Sequence, residues 1–147
     1  MVREVVSAVS NALYNEFGTD YRIYVDSIEQ NLNRPSFLIR PLRSSVSERL
    51  MGRSQVSVPL LILYFPTRPG QYLECCDVGD RLTNCLKYPG YDDVLYRGTN
   101  IKFDIIDDVL NFRITYNFFT VTQETNVEDN TIGEFESSVN AARKDDM

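Results

Sequence analysis

The apolar positions of this chain fall into two helical stripes separated and followed by alternating runs. Val2, Val5, Val6, Val9, Leu13 and Phe17 recur every three or four residues, with Ala8 and Ala12 beside them. Gly18 stands where a helix terminates, so the spacing predicts an amphipathic helix that stops there. Tyr21, Ile23 and Val25 then alternate with Arg22, Tyr24 and Asp26, the period of a half-buried strand. A polar turn over residues 29–35 feeds a second strand that begins at Phe37, Leu38 and Ile39.

From 55 to 65, Val56, Val58, Leu60, Ile62 and Tyr64 share one face. Pro59 interrupts that run and predicts an edge strand or a bulge, because proline cannot donate to a ladder. After a turn at 66–70, a second helix is expected over about 71–88. Cys75, Val78, Leu82, Cys85 and Leu86 form its stripe, and Tyr72 extends it. Gly79 inside it costs about 1 kcal/mol relative to alanine, and close packing on the sheet is the reason assigned to it. Pro89 and Gly90 end the helix, and Val94, Leu95 and Tyr96 make a short strand. Residues 100–106 and 109–123 predict a hairpin turning at Asp107 and Asp108, with Leu110, Phe112, Ile114, Tyr116, Phe118 and Thr120 on one face. The class is α+β.

Composition adds a division of the chain. At 147 residues, 43% hydrophobic and 24% charged, it suits one domain with an ordinary core. Residues 1–122 are nearly balanced in charge, whereas 123–147 hold most of the net −6. The expected organisation is a domain over 1–122 and an acidic extension over 123–147. The extension is either disordered or docked on a partner through Ile132, Phe135 and Val139. Within the domain, residues 40–54 change character. Arg40, Arg43, Arg49 and Arg53 interleave with Ser44, Ser45, Ser47 and Ser54, and Gly52 follows Met51. This is a long, mobile basic loop or the tip of an extended hairpin. Its arginines face solvent, a subunit or partner, or DNA. A near-neutral body carries no electrostatic footprint for general nucleic-acid binding.

Reactive chemistry is sparse. The chain has no histidine, which removes the commonest general base and the usual Ser or Cys triads. Neither standard phosphate-binding glycine loop is present. Cys75, Cys76 and Cys85 all fall in the second helix. They read as buried, reduced thiols, since Cys75 and Cys85 are about 15 Å apart at helical rise. Asp77 and Asp80 lie three apart and leave open a metal-dependent nuclease, against the plainer reading of a solvated helix face. Asp92, Asp93, Asp107 and Asp108 read as turn residues. No catalytic, cofactor or metal residue is assigned, and no cofactor is expected. Phe118 and Phe119 make both faces of the last strand apolar, so another subunit is expected to cover one of them. No run reaches the roughly 20 apolar residues of a membrane span, and synthesis in the cytoplasm is the default expectation.

Several stretches together resemble the tail terminator proteins of long-tailed phages and phage-tail-like particles. They are Ala12-Leu13-Tyr14-Asn15-Glu16-Phe17-Gly18 with the strand and turn over 21–30, then Leu63-Tyr64-Phe65-Pro66, then Cys76-Asp77-Val78-Gly79-Asp80-Arg81-Leu82. The last is Arg97-Gly98-Thr99 running on to Asp108-Val109-Leu110-Asn111-Phe112. The resemblance spans roughly 5–122. It implies two helices packed on one face of a mostly antiparallel sheet, and a homo-hexameric ring without enzymatic activity. Such a ring caps the tail tube at its head-proximal end and meets sheath protein or a head–tail connector, after assembly in the host bacterial cytoplasm. It transfers no catalytic residues and implies neither specific nucleic-acid binding nor a membrane. Read with the residues above, it makes Arg40, Arg43, Arg49, Arg53, Phe118, Phe119 and Phe135 the candidate subunit or partner contacts. Another head–tail completion or tail-assembly ring protein is the alternative of the same kind.

Overall fold

The computed structural model describes residues 1–27 and 32–121. Part of the turn expected over 29–35, the end of the second hairpin arm and the whole acidic extension, with Ile132, Phe135 and Val139, lie outside the described residues. Helix α1 runs Val2–Phe17 and buries Val5, Ala8, Val9, Leu13 and Phe17. Gly18 ends it at φ 82°, a conformation that costs glycine little, and its N–H donates to the Tyr14 carbonyl at 2.9 Å.

Strands β1 (Arg22–Val25), β2 (Ser36–Pro41), β3 (Ser45–Glu48) and β4 (Arg53–Phe65) precede helix α2 (Tyr72–Cys85). After it come the short β5 (Gly90–Tyr91) and β6 (Val94–Leu95), then β7 (Gly98–Ile106) and β8 (Val109–Val121). The main sheet has the order β1-β2-β4-β8-β7, with β3 also on β4. Its one parallel pair among the registers described is β1 with β2, where Ile23 stands opposite Phe37. The pairs β2/β4 and β7/β8 are antiparallel. The sheet is thus mostly antiparallel with two helices against it, an α+β fold. Alternation on β4 and β8 sends Val56, Val58, Leu60, Ile62, Tyr64, Leu110, Phe112, Ile114 and Tyr116 into one core with the helical stripes. Both two-residue hairpin turns, Asp92-Asp93 and Asp107-Asp108, have positive φ at each position, as such tight connections require.

The chain divides into two compact units. The larger comprises Met1–Ser47 and Gln55–Phe119; the smaller includes, among the described residues, Glu48–Ser54 with Thr120 and Val121.

Two sequence expectations need correction. Pro59 does not push β4 to an edge, since β4 lies between β2 and β8. Leu42 N–H donates to the Pro59 carbonyl at 2.9 Å, and proline has no N–H with which to reciprocate. The ladder is therefore broken where β2 has ended at Pro41 and β3 has not begun. Helix α2 is also shorter than expected, and Tyr72 is 63% exposed rather than part of its stripe. The segment after Cys85 gives its carbonyls to other partners. Leu86 accepts from the Tyr116 hydroxyl at 2.7 Å, Lys87 from Gly98 N–H at 2.8 Å and Pro89 from Tyr96 N–H at 2.9 Å.

The reason assigned to Gly79 holds: a Cβ there would stand 2.7–2.9 Å from the Phe103 ring. Gly98 is tighter still. A Cβ would meet the Ile114 side chain at 2.5 Å and the Leu86 carbonyl at 2.8 Å.

Two polar clamps fix the helices. The Glu74 carboxylate accepts from the Tyr64 hydroxyl at 2.5 Å, from Thr67 N–H at 3.0 Å and from the Thr67 hydroxyl at 2.8 Å. Burial works against the charged carboxylate, but these hydrogen bonds outweigh it and hold Glu74 below the ordinary carboxylate pKa. Arg81 bonds the Glu16 carboxylate at 2.9 Å and the Glu16 carbonyl at 3.0 Å. Its guanidinium also lies 4.1 Å from the Phe17 ring centre.

Gly98→Ala is expected to destabilise the fold by about 1–3 kcal/mol, the usual cost of overpacking; an unchanged urea midpoint would contradict this. A depressed folded-state pKa means that the Glu74 clamp contributes above the unfolded carboxylate pKa and is lost as pH falls through the folded one. Glu74→Gln should therefore lower the urea midpoint at pH 7 and flatten its decline on acidification. Parallel pH profiles for the two proteins would refute the clamp.

Candidate functional site

Among the described residues no group of three or more His, Cys, Asp or Glu side chains is placed to hold a metal. Asp77 and Asp80 are both exposed on α2, as a solvated face requires. The thiols are free, but only Cys75 is fully buried; Cys76 and Cys85 are half-buried. That corrects the expectation of three buried cysteines. Cys76 follows Cys75 by about 100° around the helix, so the two cannot share the inward stripe. Burial raises the Cys75 pKa and pushes Cys85 up to about 12. Those two thiols stay protonated at neutral pH and are poor nucleophiles. No described helix is long and apolar enough to cross a membrane.

The candidate contact residues occupy surfaces rather than a cleft. Arg40 is exposed on β2, opposite Leu61 of β4, and Arg43 is exposed between β2 and β3. Of the two forms considered for 40–54, a loop or a hairpin tip, the structure has the hairpin. Arg49 and Arg53 flank its tip, and Arg49 N–H donates to the Arg53 carbonyl at 2.7 Å. Between them a short 3-10 turn, Leu50–Gly52, holds Met51 at φ 63° and Gly52 at φ 71°. This tip also presents what the arginine pattern did not announce: Leu50 is 86% and Met51 92% exposed. The available signal was an apolar pair followed by glycine inside an otherwise polar run.

The two phenylalanines of β8 part company, as successive strand residues must. Phe118 packs on the core, its ring 5.2 Å from that of Tyr96 in an edge-on arrangement. Phe119, on the other face, is 54% exposed. Phe135 lies outside the described residues.

The remaining interactive features are margins of the sheet. Among the described residues β7 has no strand on its outer side. An open groove of about 620 Å³ runs beside it, lined by Asp80, Thr83, Asn84, Ile101, Lys102 and Phe103. All four residues of β3 are exposed. The arrangement offers hydrogen-bonding edges, exposed apolar residues and charge. It suits protein–protein contact.

Comparison with known proteins agrees with that picture. No curated protein matches the chain. In fold it is similar to the sheath/tube terminator of PVC, an extracellular contractile injection system, solved in its extended state. The TM-score is 0.52 and the identity 14%, over 93% of this chain. This chain spans 65% of the length of that one. The model of the phage tail terminator protein family matches residues 4–128, which takes in helix α1 from its third residue, all of α2 and every described strand. The chain therefore belongs to the phage tail terminator protein family.

Proposed function

We propose that the protein forms a homo-hexameric ring that caps the tail tube, ends its polymerisation and offers a head-proximal surface to terminal sheath protein or a head–tail connector. The observation that carries this reading is the family match across residues 4–128. The surface chemistry supports it, because Arg43, Arg49 and Arg53 lie on an exposed hairpin, the kind of feature through which one subunit meets another. In this reading the protein is structural and not an enzyme, and it is assembled in the host cytoplasm into a phage tail or tail-like particle.

A closed ring joins two different patches of each subunit by rotation. The body over 1–122 supplies those patches, and the acidic extension over 123–147 reaches a partner. The hairpin arginines Arg43, Arg49 and Arg53, with Arg40 beside them on β2, face a neighbouring subunit or the ring lumen. Phe119 adds apolar contact area.

Adding purified protein to polymerising tube protein should shorten the tubes in proportion to the protein added. Tube lengths indifferent to its presence would refute capping. The triple substitution Arg43→Ser, Arg49→Ser and Arg53→Ser should weaken ring formation or capping by about tenfold, equal to roughly 1.4 kcal/mol, while the folded spectrum is retained. Unchanged behaviour in both assays would remove the arginines from the contact.

A further inference from the structure

Among the described residues the main sheet's strand path ends at β1 and β7, with β3 off that path on β4, and the β3 and β7 edges differ in chemistry. β8 occupies one side of β4, so β2 and β3 share the other; β3 and β7 therefore lie toward opposite margins. Unpaired strand edges are templates for another strand, and proteins that must avoid such pairing bend or charge them. β7 is guarded over only part of its length. Its register with β8 shifts between Thr99 and Lys102, where Asn100 has φ 53°. Such a bulge twists the strand, so regular edge remains over 102–106.

β3 is short and wholly exposed, with Val46 54% accessible. Having no buried face, it adds little to the core, and its place in the fold is not explained by packing. Arg43 precedes it and Arg49 follows it, against the single carboxylate of Glu48. The β7 margin has the opposite balance. Asp104 lies on the regular run, Asp107 and Asp108 form the turn beyond it, and Asp80 lines the adjoining groove, against Lys102 alone. Phe103 and Ile106 on this margin are 38% and 51% exposed, so a strand laid there would bury apolar surface as well.

We propose that β3 of one copy adds to the β7 edge of the next copy, over residues 102–106, with Arg43 brought to the carboxylate of Asp104. The inference rests on the ring reading and names the two faces that join. Main-chain hydrogen bonds supply the attraction, and the opposite charges select orientation and partner. Because β3 and β7 are different surfaces of one chain, the contact is heterologous and every copy can both give and receive.

Mixed single-cysteine variants test it. Ser45→Cys or Ser47→Cys protein, mixed with Lys102→Cys or Asp104→Cys protein under ring-forming conditions with tube protein, should give oxidised dimers in at least one pairing. Neither variant alone, nor the wild-type protein with its native cysteines, should do so. Arg43→Asp and Asp104→Arg should each lower ring yield about tenfold, and an equimolar mixture of the two should recover part of it. Rings that form normally with both charge variants and without cross-linking would overturn the β3–β7 contact and leave the ring itself standing. Cross-linking of the β7 cysteine to tube protein, made by adding a cysteine there, would overturn it in favour of a different occupant. If the wild-type protein forms no ring and does not cap tubes, the ring reading fails at its root.

Discussion

An aromatic cluster at the end of the first helix holds the fold in register. Phe17 of α1 packs at a tilt against Tyr21 and Phe37 with ring centres 5.2 and 4.8 Å apart, and Phe37 meets Tyr64 at 5.0 Å. Each such pair contributes about 0.5–1.5 kcal/mol beyond the area it buries. The cluster ties α1, the lead into β1, β2 and β4 into one body. The Tyr64 hydroxyl then extends it to Glu74, and so to α2. Arg81 closes the circuit from the other side, bonding Glu16 and covering the Phe17 ring. If the cluster slipped, the helical layer would lose its position on the sheet.

That concentration of packing on one face has a consequence for function. The helices and the inward sheet residues satisfy one another, so the core offers nothing to a partner. Among the described residues, the basic hairpin, Phe119 on the outward face of β8 and the β7 edge remain accessible. A sheet left open at its margins, among the described residues, presents hydrogen-bonding edges to solvent without altering the core.

Much of this architecture could be read from residue patterns. The period of 3.6 in Val5, Val9, Leu13 and Phe17, and the period of two in Val56 to Tyr64 and Leu110 to Tyr116, report directly which side of an element meets the core. The glycine at 79 could be read as a close approach, though not which ring approached it. Pro59 was misleading because its rule concerns the proline's own strand. The structure meets the missing donor by interrupting the partner strands instead. Tyr72 misled because an aromatic residue at helical spacing looks inward until the helix start is placed. Phe118 and Phe119 looked alike in sequence, and only their packing separates the core residue from the exposed one.

Sequence alone therefore determined most of the elements, their inward faces and the helix-ending role of Gly18. These properties follow from local periodicity and backbone preference. Tertiary structure alone decided the order of the strands, the parallel pairing of β1 with β2, the hairpin form of 40–54 and the opposite margins held by β3 and β7. Those are matters of which distant segments meet. They depend on how the whole set of apolar faces is buried at once, a constraint that no local stretch of residues carries.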